Sequence, residues 1–186
     1  VWVAELERWL ITCTAYGPSG PAVYLASTTD FRTVERIGII CQPEDKNAAV
    51  LSERVDGQWV LFHRPMTSYG GSRGEVVLSR SDDLTNWGTP EQVLQPRHGA
   101  WWDSLRIGIG PPPLHTDDGW LVIYHGVAGT WVGDGEVRGL RYSAGVLVLD
   151  RRDPRLIRYR SPTPILEPEL RQERVGAVAE VVFPTG

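Results

Sequence analysis

Three stretches of the chain repeat one design: RWLITCTAYG around Trp9, QWVLFHRPM around Trp59 and GWLVIYHGV around Trp120. Each starts from a Trp, runs through apolar residues at strand length and ends near a Gly or Pro turn. A second strand-like run ending in an Asp-bearing turn follows each: VYLASTTDF, EVVLSRSDDLTNW and SAGVLVLDRRDP. A strand pair with an apolar face cannot bury that face alone, so recurring pairs must pack on one another. Arranged radially, they make a β-propeller whose inner strands line a central channel, and any site there draws on several repeats.

Further strand signals lie at 8–15, 22–27, 48–52, 58–63, 75–80, 120–124 and 143–149, each bounded by turn-forming residues. The DG pair at Asp56-Gly57 predicts a hairpin joining AAVLSERV to QWVLFHR. No stretch has convincing helical periodicity. The tail from Ser161 to Glu173 reads as an irregular connection before a last strand, AVAEVVF. The 20 Gly, 14 Pro and 8 Trp fit an all-β chain with many tight turns and aromatic packing. With repeats spaced about 50 to 60 residues apart, 186 residues hold about three blades. The expectation is a single propeller segment over residues 1–186, internal to a longer protein and lacking the N- and C-terminal parts of the full domain.

A net charge of −4 argues against a nucleic-acid partner. No run of 18 apolar residues is present to cross a membrane as a helix. Cys13 and Cys41 sit in apolar runs without metal-ligand spacing, so the default is two buried free thiols in a cytoplasmic protein, with no metal; a disulfide stays open. The basic run RRDPRLIRYR reads as a solvated turn, with anion binding as its alternative.

Chemistry concentrates at strand ends. Lys46-Asn47 opens one hairpin, His63-Arg64 closes its second strand, Arg106 precedes IGIGPPP, and His125 follows the Trp120 strand. A Lys, two Arg and a His converging on a channel supply charge-assisted donors suited to a dianion such as phosphate. The competing reading pairs these cations with Glu44, Asp45, Glu53 or Asp103 on a solvated rim.

The stretches TAYGPSGPAVYLA, DKNAAVLSERVDGQWVLFHRP, SRSDDLTNWG, RIGIGPPPLHTDDGWLVIYHGV, SAGVLVLDRRDP, PTPILEPE and VVFPTG, in this order, resemble glycoside hydrolase family 130. That family comprises β-mannoside phosphorylases and related hydrolases on a five-bladed β-propeller. The resemblance implies a phosphate pocket of Lys46, Asn47, Arg64, Arg106 and His125. Lys46 stands where an Arg is frequent, and Arg106 where a Lys is often found, so the charge is kept while the geometry differs. His63 is assigned to packing.

The implied reaction is an inverting phosphorolysis: inorganic phosphate, the co-substrate, attacks the anomeric carbon of a β-mannoside, giving α-mannose 1-phosphate and a shortened sugar. No other cofactor is implied, the partner is an oligosaccharide, and a homo-oligomer is left open. The family's general acid is an Asp in a Glu-Asp-Pro-Arg stretch, expected upstream of Val1, and a further acidic residue is expected after Gly186. Asp153, in RDPR, belongs to a later repeat and is not a substitute. The segment by itself is therefore expected to be inactive. Tyr16, Trp102, Asp103 and Tyr142 are candidates for sugar contact. Trp9, Trp59 and Trp120 are assigned to packing, and Trp101, Trp102 and Trp131 to loops that could meet ligand. The alternatives are a β-mannoside hydrolase of the same family and a non-catalytic sugar-binding propeller.

Overall fold

The computed structural model describes residues 1–66, 74–132 and 136–185. The strand-forming stretches assemble into three antiparallel sheets in chain order. The first contains β1 (Trp2–Val3), β2 (Arg8–Gly17), β3 (Gly20–Thr28) and β4 (Glu35–Cys41). The second contains β5 (Asp45–Val50), β6 (Trp59–Pro65), β7 (Val76–Ser81) and β8 (Glu91–Leu94). The third contains β9 (Arg106–Ile109), β10 (Leu114–Thr116), β11 (Gly119–Val132), β12 (Glu136–Leu149) and β13 (Ile157–Arg160). Helix is confined to a 3-10 turn at Ala4–Leu6 and one short α-helix, Arg171–Arg174, among the described residues.

The second sheet is covered on both faces, which explains why β6 reads as a continuous apolar run instead of an alternation. Trp59 and Leu61 pack towards the first sheet with Val3, Leu25 and Ile40. Val60 and Phe62 turn the other way and join Ile107, Trp120 and Tyr124 of the third sheet. Successive residues of a strand project to opposite faces, so one segment serves two cores. Full burial of each large apolar side chain contributes about 1.5–3 kcal/mol. β5 packs between β2 and β9, which brings one strand from each sheet side by side.

Several expectations are corrected. Trp59 and Trp120 are buried as expected, but Trp9 is only half-buried, its ring against Trp2 and Phe31 at 5.6 and 5.2 Å between centroids. Both cysteines are free, yet Cys13 is exposed on β2 and only Cys41 is buried. The basic run is not wholly a solvated turn: Asp150 caps the turn, and Ile157–Arg160 becomes the outer strand of the third sheet. AVAEVVF forms no full strand. Glu180 takes a left-handed φ of 57°, which breaks the extended run, and Val181 makes a single parallel bridge to Tyr142. Arg106–Ile109, hidden in a Gly- and Pro-rich stretch, is a strand paired to β11.

Trp102 is a wedge as well as a surface residue. Its ring lies against Tyr124 at 5.2 Å, and its Nε1 donates to the Pro162 carbonyl at 3.2 Å. A Cβ at Gly126 or Gly145 would come within 2.5 or 2.3 Å of that ring, so only glycine lets the indole lie on the sheet. Gly145→Ala, whose added methyl meets the Trp102 ring first, is expected to cost about 1–3 kcal/mol in denaturant unfolding. Combining it with Trp102→Leu should recover part of that loss, and additive effects would refute the wedge.

Candidate functional site

The residues expected to hold an anion lie on two adjacent sheets. Lys46 and Asn47 lie on β5, and Lys46 is in register with Arg64 on β6. Arg106 opens β9 opposite Val127, and His125 on β11 faces Gly108 of β9. Arg64 crosses between the sheets, its Nη1 donating to the Ile107 carbonyl at 3.2 Å. Asn47 Nδ2 and His125 Nε2 approach to 3.5 Å. That approach depends on Gly108, where a Cβ would meet the His125 ring at 2.4 Å and Asn47 Nδ2 at 2.6 Å. Asn47 has a φ of 56°, at a register shift between Lys46 and Ala49. Asn tolerates that conformation better than most residues.

Electrostatics follow from this crowding. Burial is the first cause lowering the pKa of Lys46, followed by the charges of Arg64 and Arg106. The Arg64 guanidinium, 6% exposed, is lowered to about 10 by burial and then by Arg106. His125, 1% exposed, is pushed down to about 3 by burial, then by Arg64 and Lys46. The imidazole is therefore neutral at physiological pH. With Asn47 donating to Nε2, the proton resides on Nδ1. Two buried nitrogens, Arg64 Nε and His125 Nδ1, have no hydrogen-bond partner among the described residues.

The rim reading does not account for these cations. Asp45 is engaged by His63 at 2.6 Å, Glu53 by His115 at 3.4 Å, and Asp103 by Arg160 and Arg97 at 2.5 and 3.6 Å. Glu44 alone raises the pKa of Lys46, as its weakest influence. Among the described residues, Lys46, Arg64 and Arg106 form no ion pair. Cys41, Asp45 and His63 also lie close together. The 2.6 Å between His63 Nδ1 and Asp45 Oδ2 is a hydrogen bond. Two ligands about 2.0–2.1 Å from one tetrahedral zinc would stand farther apart.

The sugar candidates separate. Tyr142 is half-buried with its ring 6.4 Å from His125, and it is among the groups acting on Arg64. Tyr16 is 76% exposed near the β2–β3 turn. Asp103 is wholly buried and accepts from Tyr124 Oη at 2.8 Å, so its observed contacts are those of a fold-building ion pair. Trp101 is exposed beneath the Arg97 guanidinium at 4.5 Å, and Trp131 is exposed near the end of β11, within a strand. Asp153 pairs with Arg155 at 2.8 Å in the β12–β13 turn.

A cavity of about 580 Å³ opens beside Asn47, walled by Trp9, Thr12, Ile109, Pro112 and Phe183. Phe183 was not singled out from the sequence. Its ring lies tilted against His125 at 4.3 Å between centroids and gives the imidazole an apolar side. The VVFPTG motif carried the available signal.

The scaffold is thus nearly all-β, with a half-buried cationic cluster beside an aromatic-walled cavity. The chain belongs to glycoside hydrolase family 130: the family model described as β-1,4-mannooligosaccharide phosphorylase matches residues 3–186. It is 34% identical to the β-1,4-mannooligosaccharide phosphorylase of Ruminococcus albus, over 97% of this chain and 51% of that protein. It is 40% identical to a β-1,2-mannobiose phosphorylase of a Thermoanaerobacter species, over 80% of this chain and 43% of that one. The solved structure of the Listeria innocua β-1,2-mannobiose phosphorylase with β-1,2-mannobiose superposes with a TM-score of 0.84 at 32% identity, covering 98% of this chain and 48% of that one. The chain thus spans about half the length of the curated relatives it matches.

The depressed pKa of His125 sets a pH dependence. Its folded value lies below the ordinary 6.5, so the unfolded state binds more protons between them. The stability contribution of neutral His125 is present above about pH 6.5 and is lost as pH falls towards 3. Denaturant midpoints measured from pH 7 to pH 4 should fall less steeply in His125→Gln than in the unmodified protein. Parallel curves would refute a buried neutral His125.

Proposed function

We propose that the protein carrying this chain is an inverting phosphorylase of β-mannosides, with inorganic phosphate held by Lys46, Asn47, Arg64, Arg106 and His125. The single observation that carries this reading is the cluster of three cations that form no ion pair and a neutral imidazole, with Arg64 Nε and His125 Nδ1 buried and unpartnered, among the described residues. A dianion relieves the repulsion among the cations and supplies acceptors to both nitrogens. The phosphorylase names of the relatives support the same chemistry.

In this reading the cations align phosphate for attack on the anomeric carbon, and exclusion of water strengthens each contact as charge redistributes. Phosphate oxygen forms the new bond to carbon as the glycosidic bond breaks, and the departing oxygen takes a proton from a carboxylic acid on the opposite side. The family resemblance implies an Asp upstream of Val1 as that acid, and Asp45 and Asp103, buried and bonded within their sheets, are not substitutes for it. Tyr142 and the cavity beside Asn47 are assigned to the sugar. The whole domain is read as a five-bladed propeller, with the three sheets as consecutive blades.

The test is release of mannose 1-phosphate from β-mannosides by the whole protein, with and without phosphate. Phosphate-dependent activity that drops roughly 100-fold in Arg64→Ala is expected. Cleavage that proceeds equally without phosphate would assign the protein to the hydrolases and leave the basic cluster as structure.

A further inference from the structure

We propose that Asp45, His63 and Ser79 form a buried relay whose task is to position Lys46 and Arg64, making them positioning residues of the anion pocket. The inference rests on the phosphate-pocket reading above and adds three residues to it.

The relay crosses three strands. Asp45 Oδ2 lies 2.6 Å from His63 Nδ1, and His63 Nε2 lies 2.9 Å from Ser79 Oγ. β5, β6 and β7 supply one residue each, and all three are buried. Asp45 directly precedes Lys46, and His63 directly precedes Arg64. Neighbouring strand residues point to opposite faces. The relay therefore lies behind the very backbone units from which the two cations project.

That backbone is in need of a fastening. The β5–β6 ladder pairs Asp45 with Pro65 and Lys46 with Arg64, then shifts register before Ala49. Met66 N–H closes the near end of this ladder on the Glu44 carbonyl at 2.8 Å, but Asn47 sits at φ 56° at the register shift that follows Lys46. The regular ladder is thus interrupted directly after Lys46, where placement of the cations matters most. A short hydrogen bond to a carboxylate, continued to the next strand, ties β5 to β6 and β6 to β7 through side chains instead.

The relay is also a poor choice for stability alone. Asp45 Oδ1 is buried without a hydrogen-bond partner, and a buried polar group left unpaired costs about 1–3 kcal/mol. Apolar residues of similar volume would fill the same space without that cost. The carboxylate brings two things that they cannot: a directional bond to His63 and a negative charge that favours the charged form of Arg64.

The experiment measures KM for phosphate, KM for the β-mannoside and melting temperature in the whole protein, with phosphate binding followed separately by calorimetry without sugar. Asp45→Ala is expected to raise KM for phosphate about tenfold and Ser79→Ala about threefold, at unchanged KM for the mannoside. Asp45→Asn keeps an acceptor for His63 and should return KM for phosphate to within about threefold of the unmodified value. Ser81→Ala serves as the structural control: Ser81 Oγ accepts from the Asp83 and Leu84 amides of the same sheet, so this variant should lower melting temperature and leave both KM values unchanged. Asp45 and Ser79 variants that behave like Ser81→Ala, or shift both KM values alike, overturn the relay. If the unmodified protein needs no phosphate for cleavage yet binds it, loss of binding in Asp45→Ala sustains the relay while the phosphorylase reading falls. Absence of phosphate binding in the unmodified protein overturns both.

Discussion

A guanidinium buried to 6% exposure, with a second guanidinium among the charges acting on it, is the constraint around which this molecule is arranged. Arg64 is held through one bond to the Ile107 carbonyl of the neighbouring sheet, and its Nε remains unpartnered. That bond requires β6 and β9 to approach closely, and the apolar run of Phe62, Leu78, Ile107 and Trp120 provides the packing that keeps them together. Hydrophobic burial thus holds in place a charge cluster that would otherwise drive the sheets apart. The apolar core and the cationic pocket are two faces of the same pair of sheets.

Much of this was legible in the sequence because the relevant signals are local. The Trp-led runs marked β6 and β11, and the Asp-Gly pair marked the turn between β5 and β6. The family-specific stretches picked out Lys46, Asn47, Arg64, Arg106 and His125, which the fold gathers from four strands. What escaped is whatever depends on packing across sheets. β9 looks like a turn because the glycines in and after it are there for close approach: Gly108 makes room for His125 and Asn47, and Gly110, just past the strand, for the Pro184 carbonyl. Asp103 looked like a cleft residue because its Trp-Asp setting suits sugar contact, yet Arg160, more than fifty residues later, draws it into the interior. The relay from Asp45 to Ser79 was invisible for the same reason, since its members come from three strands.

The neutral state of His125 completes the electrostatic logic. Against three cations a protonated imidazole would add a fourth charge, and burial beneath Phe183 opposes this. The neutral ring is a donor at Nδ1 once Asn47 occupies Nε2, so it can meet an anion without increasing repulsion when the pocket is open. An Arg or Lys at position 125 would attract the proposed phosphate more strongly but would also raise the cost of folding the pocket around like charges. Selecting a neutral donor there separates the strength of the pocket from its stability. It also explains why an apolar side chain from the segment after the third sheet is placed on a residue of a polar site: Phe183 keeps the imidazole dry, and a dry imidazole stays uncharged.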